Sequence, residues 1–188
     1  MGNLVSFMHV SLDGFTARLN GEMDWIRMDE AIFDLAVART EKSDTALYGR
    51  NTHEIMKAYW PTAADNPRVS RHDLSHSKWY NQVNKIVVSK TMRGQSFEKT
   101  TIISEHVAAS IEALKKRTVG EIIMFGSPAL TGSLMQENLI DEYWIFINPV
   151  ILGQGISLYS KNLRELRLHL TEHIPFANGV VCLHYTQN

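Results

Sequence analysis

The chain has one cysteine, Cys182, among its 188 residues. An internal disulfide is therefore excluded, and a reducing compartment is the expected setting. Neither charge dominates: the formal net charge is −1. The chain thus has no broad field for nucleic acid or an acidic membrane, although a local basic pocket stays open. No apolar run approaches the about 20 residues that a membrane-spanning helix needs. The opening MGNLVSFMHVSLDG has neither a basic leader nor a long apolar stretch, so it reads as no signal peptide. Repeats, linkers and low-complexity segments are missing as well. The expectation is a cytoplasmic protein with one domain over residues 1–188 and neither nucleic-acid nor membrane partners.

What is present is alternation. Residues 3–11 (NLVSFMHVS) read as a strand that stops at Gly14, followed by a loop with a turn at Asn20-Gly21. In DEAIFDLAVARTEK (29–42), Ile32, Leu35, Ala36 and Arg39 fall at helical spacing, with acids first and bases last. DTALYG (44–49) reads as a strand, and NTHEIMKAYW as a helix capped by Asn51 with Glu54 three residues on. Residues 61–83 are polar and contain Pro61 and Pro67; they read as a surface loop with a short helical turn near 75–82. NKIVVS and TTIIS are strands, and EHVAASIEALKKRT is an amphipathic helix. EIIMFG is a strand, and SPALTGSLMQEN is a helix with Pro128 in its first turn. DEYWIFINPV, RELRLHLTEHIPF and GVVCLHYTQ are late strands. This order implies a mostly parallel sheet with antiparallel strands at one edge. Cys182, inside the apolar run VVCLHY, reads as a buried strand residue.

Two strands end in glycine and run into a helix start: ALYG-RNTHE and IMFG-SPALTGSL. Such a junction suits phosphate, because a helix N-terminus offers unpaired N–H groups and a partial positive charge. It also simply ends a strand, and neither junction is a GxGxxG or a GxxxxGK[ST]. A third strand ends in Ser89-Lys90, a hydroxyl and an ammonium that suit a phosphate. Ligands of open α/β sheets lie at the carboxyl ends of strands, where all three features fall.

SLDGFTA, DTALYGRNTHEIM, NKIVVSKT, EIIMFGSPALTGSLMQENLIDEYWIFINPVILGQG and GVVCLHY follow in order from Val5 to Tyr185. Together they resemble the dihydrofolate-reductase-like superfamily, and within it the C-terminal reductase domain of bacterial riboflavin-biosynthesis deaminase/reductase. The resemblance implies an α/β fold: a central twisted, mixed but mostly parallel sheet flanked by helices, with a β-rich C-terminal part. It further implies a homodimer and an NADPH-dependent reductase acting on a small heterocyclic, carbonyl or imine substrate.

By the same resemblance, Gly49, Arg50 and Thr52 meet the cofactor phosphates, and Ser89 and Lys90 hold the phosphate on the adenosine ribose. Gly126, Ser127, Ala129 and Leu130 hold the pyrophosphate and the neighbouring ribose, and Phe15, Thr16 and Ala17 line the nicotinamide. Trp25 and Trp60 are candidate substrate walls. Asp13 and Glu30 are candidate acids; Asp13 equally holds its turn, and Asp29 and Glu30 equally form the acidic first turn of a helix. In PVILGQG, Pro149 ends a ladder, and Gly153 and Gly155 allow a positive φ or a bulge that redirects the chain.

The eight histidines include His72 and His76 at i,i+4 spacing, but no HExxH or second cysteine accompanies them, and no metal site is expected. His9 reads as a hydrogen-bonded core residue on the face shared by Phe7 and Ser11, within reach of the cleft. The other classes open to this chain are a nucleotide-binding module without catalysis and a structural dimer of the same fold.

Overall fold

The computed structural model describes residues 1–159 and 163–187. The elements follow in the order β1 (Leu4–Ser11), β2 (Phe15–Ala17), α1 (Glu30–Thr40), β3 (Ser43–Gly49), α2 (Arg50–Tyr59), a 3-10 turn (Trp60–Asp65), α3 (Arg71–Gln82), β4 (Asn84–Val88), β5 (Thr100–Ile103), α4 (Val107–Arg117), β6 (Glu121–Phe125), α5 (Pro128–Gln136), β7 (Glu142–Asn148), β8 (Ile156–Ser157), β9 (Leu168–Pro175) and β10 (Val181–Gln187). Eight strands form one sheet in the order β5-β4-β3-β6-β1-β7-β10-β9, and β2 pairs with β8 in a separate ribbon. The run from β5 to β7 is parallel, and β10 and β9 close that side antiparallel. The chain therefore has the α/β architecture that its sequence implies, a mixed but mostly parallel sheet with a β-rich C-terminal part.

Strand alternation divides the core. Leu4, Met8 and Val10 of β1 pack with Ile111 and Leu114 of α4 and Leu134 of α5. Val5 and Phe7 face the other way, onto Ile32 of α1 and Trp144, Phe146 and Cys182. Cys182 is fully buried, and burial pushes its thiol up to about 12. That leaves it protonated and inert at neutral pH.

Two local expectations need correction. Residues 61–83 are not a loop with one short turn: Pro61 enters the 3-10 turn, Ser70 caps α3 by accepting the Asp73 N–H at 3.0 Å, and α3 runs twelve residues. The helix was masked because its inward positions are Ser77, His76 and Tyr80 rather than an aliphatic stripe. The Ser77 hydroxyl donates to the Trp60 carbonyl at 2.8 Å and so binds helix to turn. Nor does Asn51 cap α2. The cap is Gly49, without a side-chain bond, and Glu54 pairs with Arg50 at the surface.

The glycines near the end of β7 have separate tasks. Gly153 takes φ +73°, where a side chain would be strained. Gly155 is not left-handed: a Cβ there would lie 2.4 Å from the Ala17 carbonyl oxygen. Its lack of a side chain lets β8 close on β2.

Candidate functional site

Parallel pairing brings the two strand-glycine-helix junctions side by side. β3 and β6 are neighbours, so Gly49 and Gly126 leave the sheet at the same carboxyl edge. The Gly49 N–H donates to Ser127 Oγ at 2.9 Å, and Thr52 lies 3.6 Å from where a Cβ on Gly126 would be. Ser127 itself adopts φ 60°, ψ 55°, a left-handed conformation that costs a non-glycine residue about 1 kcal/mol or more. Its hydroxyl bond offsets part of that cost. Helices α2 and α5 both begin without a side-chain cap, so the amides of their first turns stay available to an anion. Ser89 lies just past β4 on the same edge, its Oγ 3.3 Å from Thr91 Oγ1. The adjacent Lys90 is exposed, as is Arg50. Leu130 is buried in the core under α5, and Ala129 is exposed on it.

A cavity of about 440 Å³ opens from this edge. Thr16, Ala17, Thr52, Gly126 and Ser127 form its junction side. Its far side is apolar and aromatic: Met23 and Met28 from the loop, Phe33 from α1, Met56 from α2, and Phe125 from the sheet. Trp60 supplies a wall, with the His76 ring 4.0 Å away. His72 stacks on Phe33 at 4.6 Å. Both histidines therefore sit on α3 with aromatic neighbours. Nε2 of His76 is buried without a hydrogen-bond partner, and burial lowers this histidine to about 4. His9 also lines the cavity and is likewise lowered by burial, to about 4.

The candidate acids lie elsewhere. Asp13 does not line the cavity: it accepts the Ser11 hydroxyl at 2.7 Å and the N–H groups of Leu152 and Gly153 at 3.1 and 2.7 Å. The Ser11 bond, helped by those amides, holds its carboxyl below the usual range, so at neutral pH it has no proton to donate. Its task here is to fasten the Gly-Gln-Gly turn to the end of β1. Glu30 is exposed in the first turn of α1, and Asp29 caps that helix through the Ile32 N–H at 2.9 Å. Neither lines the cavity, and the lining carboxylate is Asp73. Trp25 is buried beside the loop with Nε1 unpartnered, outside the lining, whereas Trp60 is in it. Phe15 is half-buried in the β2–β8 ribbon, next to the lining pair Thr16 and Ala17.

Sequence reasoning missed Asn148. It is fully buried at the end of β7, accepts the Arg27 N–H at 2.8 Å and lies 3.3 Å from Nδ1 of His9. An asparagine directly before a proline gives no warning of this, because its partners stand more than a hundred residues away.

A Bacillus subtilis (strain 168) protein, "Uncharacterized protein YyaP", is 30% identical over 182 residues, covering 95% of this chain and 92% of its own length. The Thermotoga maritima diaminohydroxyphosphoribosylaminopyrimidine deaminase/5-amino-6-(5-phosphoribosylamino)uracil reductase shares the fold at TM-score 0.68 and 14% identity, matching 100% of this chain but 57% of the Thermotoga chain. Enterococcus faecalis dihydrofolate reductase, complexed with NADP(H), has TM-score 0.66 and 14% identity, with 100% and 97% covered. The sequence model of the family described as "RibD C-terminal domain" matches residues 3–182, and the chain belongs to that family.

Proposed function

We propose that this protein is an NADPH-dependent reductase of a small carbonyl, imine or heterocyclic compound. The observation that carries the reading is the pair of uncapped helix starts, tied together by the Gly49–Ser127 bond, at the mouth of an apolar cavity. This arrangement fits a dinucleotide: amides and glycines for its phosphates, Ser89 and Lys90 on the next strand for a ribose phosphate, and a dry chamber beyond. When bound, NADPH would supply a hydride to the carbon of a C=O or C=N bond, and solvent at the open mouth of the cavity would supply the proton for the heteroatom. The protein's share is placement. Thr16 and Ala17 line the junction side, Gly155 holds their strand close, and the aromatic wall excludes water from the reacting face. The Enterococcus dihydrofolate reductase was solved with NADP(H), and the Thermotoga protein is named as a reductase, which supports the same reading.

The test is calorimetric. Ser89→Ala and Arg50→Ala are expected to weaken NADPH binding about tenfold with no change of fold, and Ser89→Ala to affect NADH less because NADH lacks the ribose phosphate. NADPH should also raise the melting temperature more than NADH or ATP does. If neither substitution alters NADPH affinity, the cofactor site is misplaced.

A nucleotide-binding module without catalysis is favoured by one fact, that neither Asp13 nor Glu30 lines the cavity. That reading requires NADPH to bind and no substrate panel to consume it. Homodimer assembly belongs to the proposal too: β9 is an exposed sheet edge, and sedimentation would show whether two copies associate.

A further inference from the structure

The reductase reading leaves open what enters the apolar chamber, and the hydrogen bonding around His9 narrows it. The Asn148 amide is oriented by its surroundings. Its Oδ1 accepts the Arg27 N–H at 2.8 Å, and its Nδ2 donates to the Phe146 carbonyl at 3.2 Å and the Val10 carbonyl at 3.4 Å. The two hydrogens of that Nδ2 face three acceptors, the third being His9 Nδ1 at 3.3 Å, so one of them is shared; an amide NH2 cannot accept, and the contact therefore turns the Nδ1 lone pair, not an N–H, toward it. A neutral imidazole that accepts at Nδ1 carries its proton on Nε2. Burial keeps the ring neutral, lowering it to about 4, and stacking on Phe146 at 4.7 Å and 19° fixes its plane. Among the described residues Nε2 has no hydrogen-bond partner, and His9 lines the cavity. The one protein group to which the ring is bonded is spent on setting its tautomer.

The charge of the chamber supplies the second constraint. Among the described residues no lysine or arginine lines it, and the one carboxylate in the lining is that of Asp73. An anionic substrate would lose its hydration and gain no counter-ion. The Thermotoga enzyme is named for a phosphoribosylamino-uracil; the phosphate of such a compound finds no lysine or arginine among the described residues of this lining.

We propose that His9 offers Nε2–H as a neutral donor to the carbonyl oxygen or ring nitrogen of a non-anionic, planar, phosphate-free substrate held between Phe33, Trp60 and Phe125. Resting on the reductase reading, this names the substrate class of the same chamber. A neutral donor polarises the acceptor without bringing a buried charge.

The test uses the whole chain in excess inorganic pyrophosphate, which occupies the helix starts of the junction side, and three probes by titration calorimetry: chromone, which is planar with a carbonyl acceptor; naphthalene, which has no acceptor; and 1-naphthyl phosphate. Chromone is expected to bind about tenfold more tightly than either of the others, the size of one desolvated hydrogen bond. His9→Ala should bring chromone down to the level of naphthalene. Because that variant could perturb the core, 15N NMR of the unaltered protein gives a second reading: His9 should show the Nε2–H tautomer, with a resonance that shifts on adding chromone and stays in place with naphthalene. Equal or tighter binding of 1-naphthyl phosphate, an Nδ1–H tautomer, or no binding of any probe at millimolar concentration overturns the proposal. NADPH titrated into the same chain without pyrophosphate separates the two ideas. Failure there sinks the reductase reading and leaves the His9 result standing.

Discussion

The two sides of the cavity are built by different rules. The junction side is made of backbone: two glycines, two uncapped helix starts and a three-residue strand held against Gly155. The far side is made of side chains from the sheet, three helices and a loop, stacked ring on ring. A backbone site tolerates little addition, because one extra methyl group removes the space it depends on. A side-chain site tolerates exchange of shape but not addition of negative charge, because the described residues of its lining offer an anion no lysine or arginine. The difference teaches where the two halves of a reaction would be specified: phosphate and position by the first, substrate by the second.

The sharpest break of that comparison is Gly155→Ala. Its Cβ would meet the Ala17 carbonyl oxygen at 2.4 Å, and backbone cannot swing aside as a side chain can. We expect a loss of roughly 3 kcal/mol or more in unfolding free energy, with the β2–β8 ribbon opened. NADPH protection should be lost with it, which thermal unfolding in the presence and absence of NADPH would read. Retention of both stability and protection would show that the junction side is more pliable than its geometry implies.

Acid probes the far side. His9 and His76 are each lowered from 6.5 to about 4 by burial. The unfolded chain therefore binds more protons between those values, and stability falls as pH drops through that window, by on the order of 3 kcal/mol for each ring. Above about pH 6.5 the two rings should add no slope. His76→Phe keeps an aromatic between Trp60 and Phe125 and removes one titration. Urea unfolding from pH 7 to pH 4 should then show a shallower decline than in the parent chain. An unchanged slope would mean that His76 finds a partner or water when protonated.

The smallest expected effect is at Ser127. Ser127→Ala keeps the left-handed strain and loses the bond from Gly49, for a loss of about 1 kcal/mol. Ser127→Gly also loses the bond but relieves the strain, so it should be close to neutral. The order of the two melting temperatures decides whether the hydroxyl or the backbone conformation matters more at this junction.

How much of this was legible depended on the range of the signal. The glycine ends at Gly49 and Gly126 could be read directly, because strand, glycine and helix start are adjacent in the chain. The antiparallel edge followed from the three β-prone runs after Asp141. Helix α3 was not legible, because its inward face is His76, Ser77 and Tyr80, which looks polar until Trp60 and Phe125 are placed against it. The surroundings of the acids were not legible for the same reason. Asp13 and Glu30 are conspicuous near the loop in sequence, but Asp13 is engaged by a turn 139 and 140 residues away, and Glu30 faces solvent.

The sequence by itself determined the alternation of strands and helices, the apolar faces and the backbone punctuation. These depend on residues within a few positions of one another, through period, φ preference and capping. Tertiary structure alone decided that Gly49 and Ser127 would share a bond, that Gly155 would have no room for a side chain, and that Asn148 would set the tautomer of His9. Each is a contact between segments far apart in the chain. Orientation at such a contact is fixed by what surrounds both partners, and no local pattern of residues carries that information.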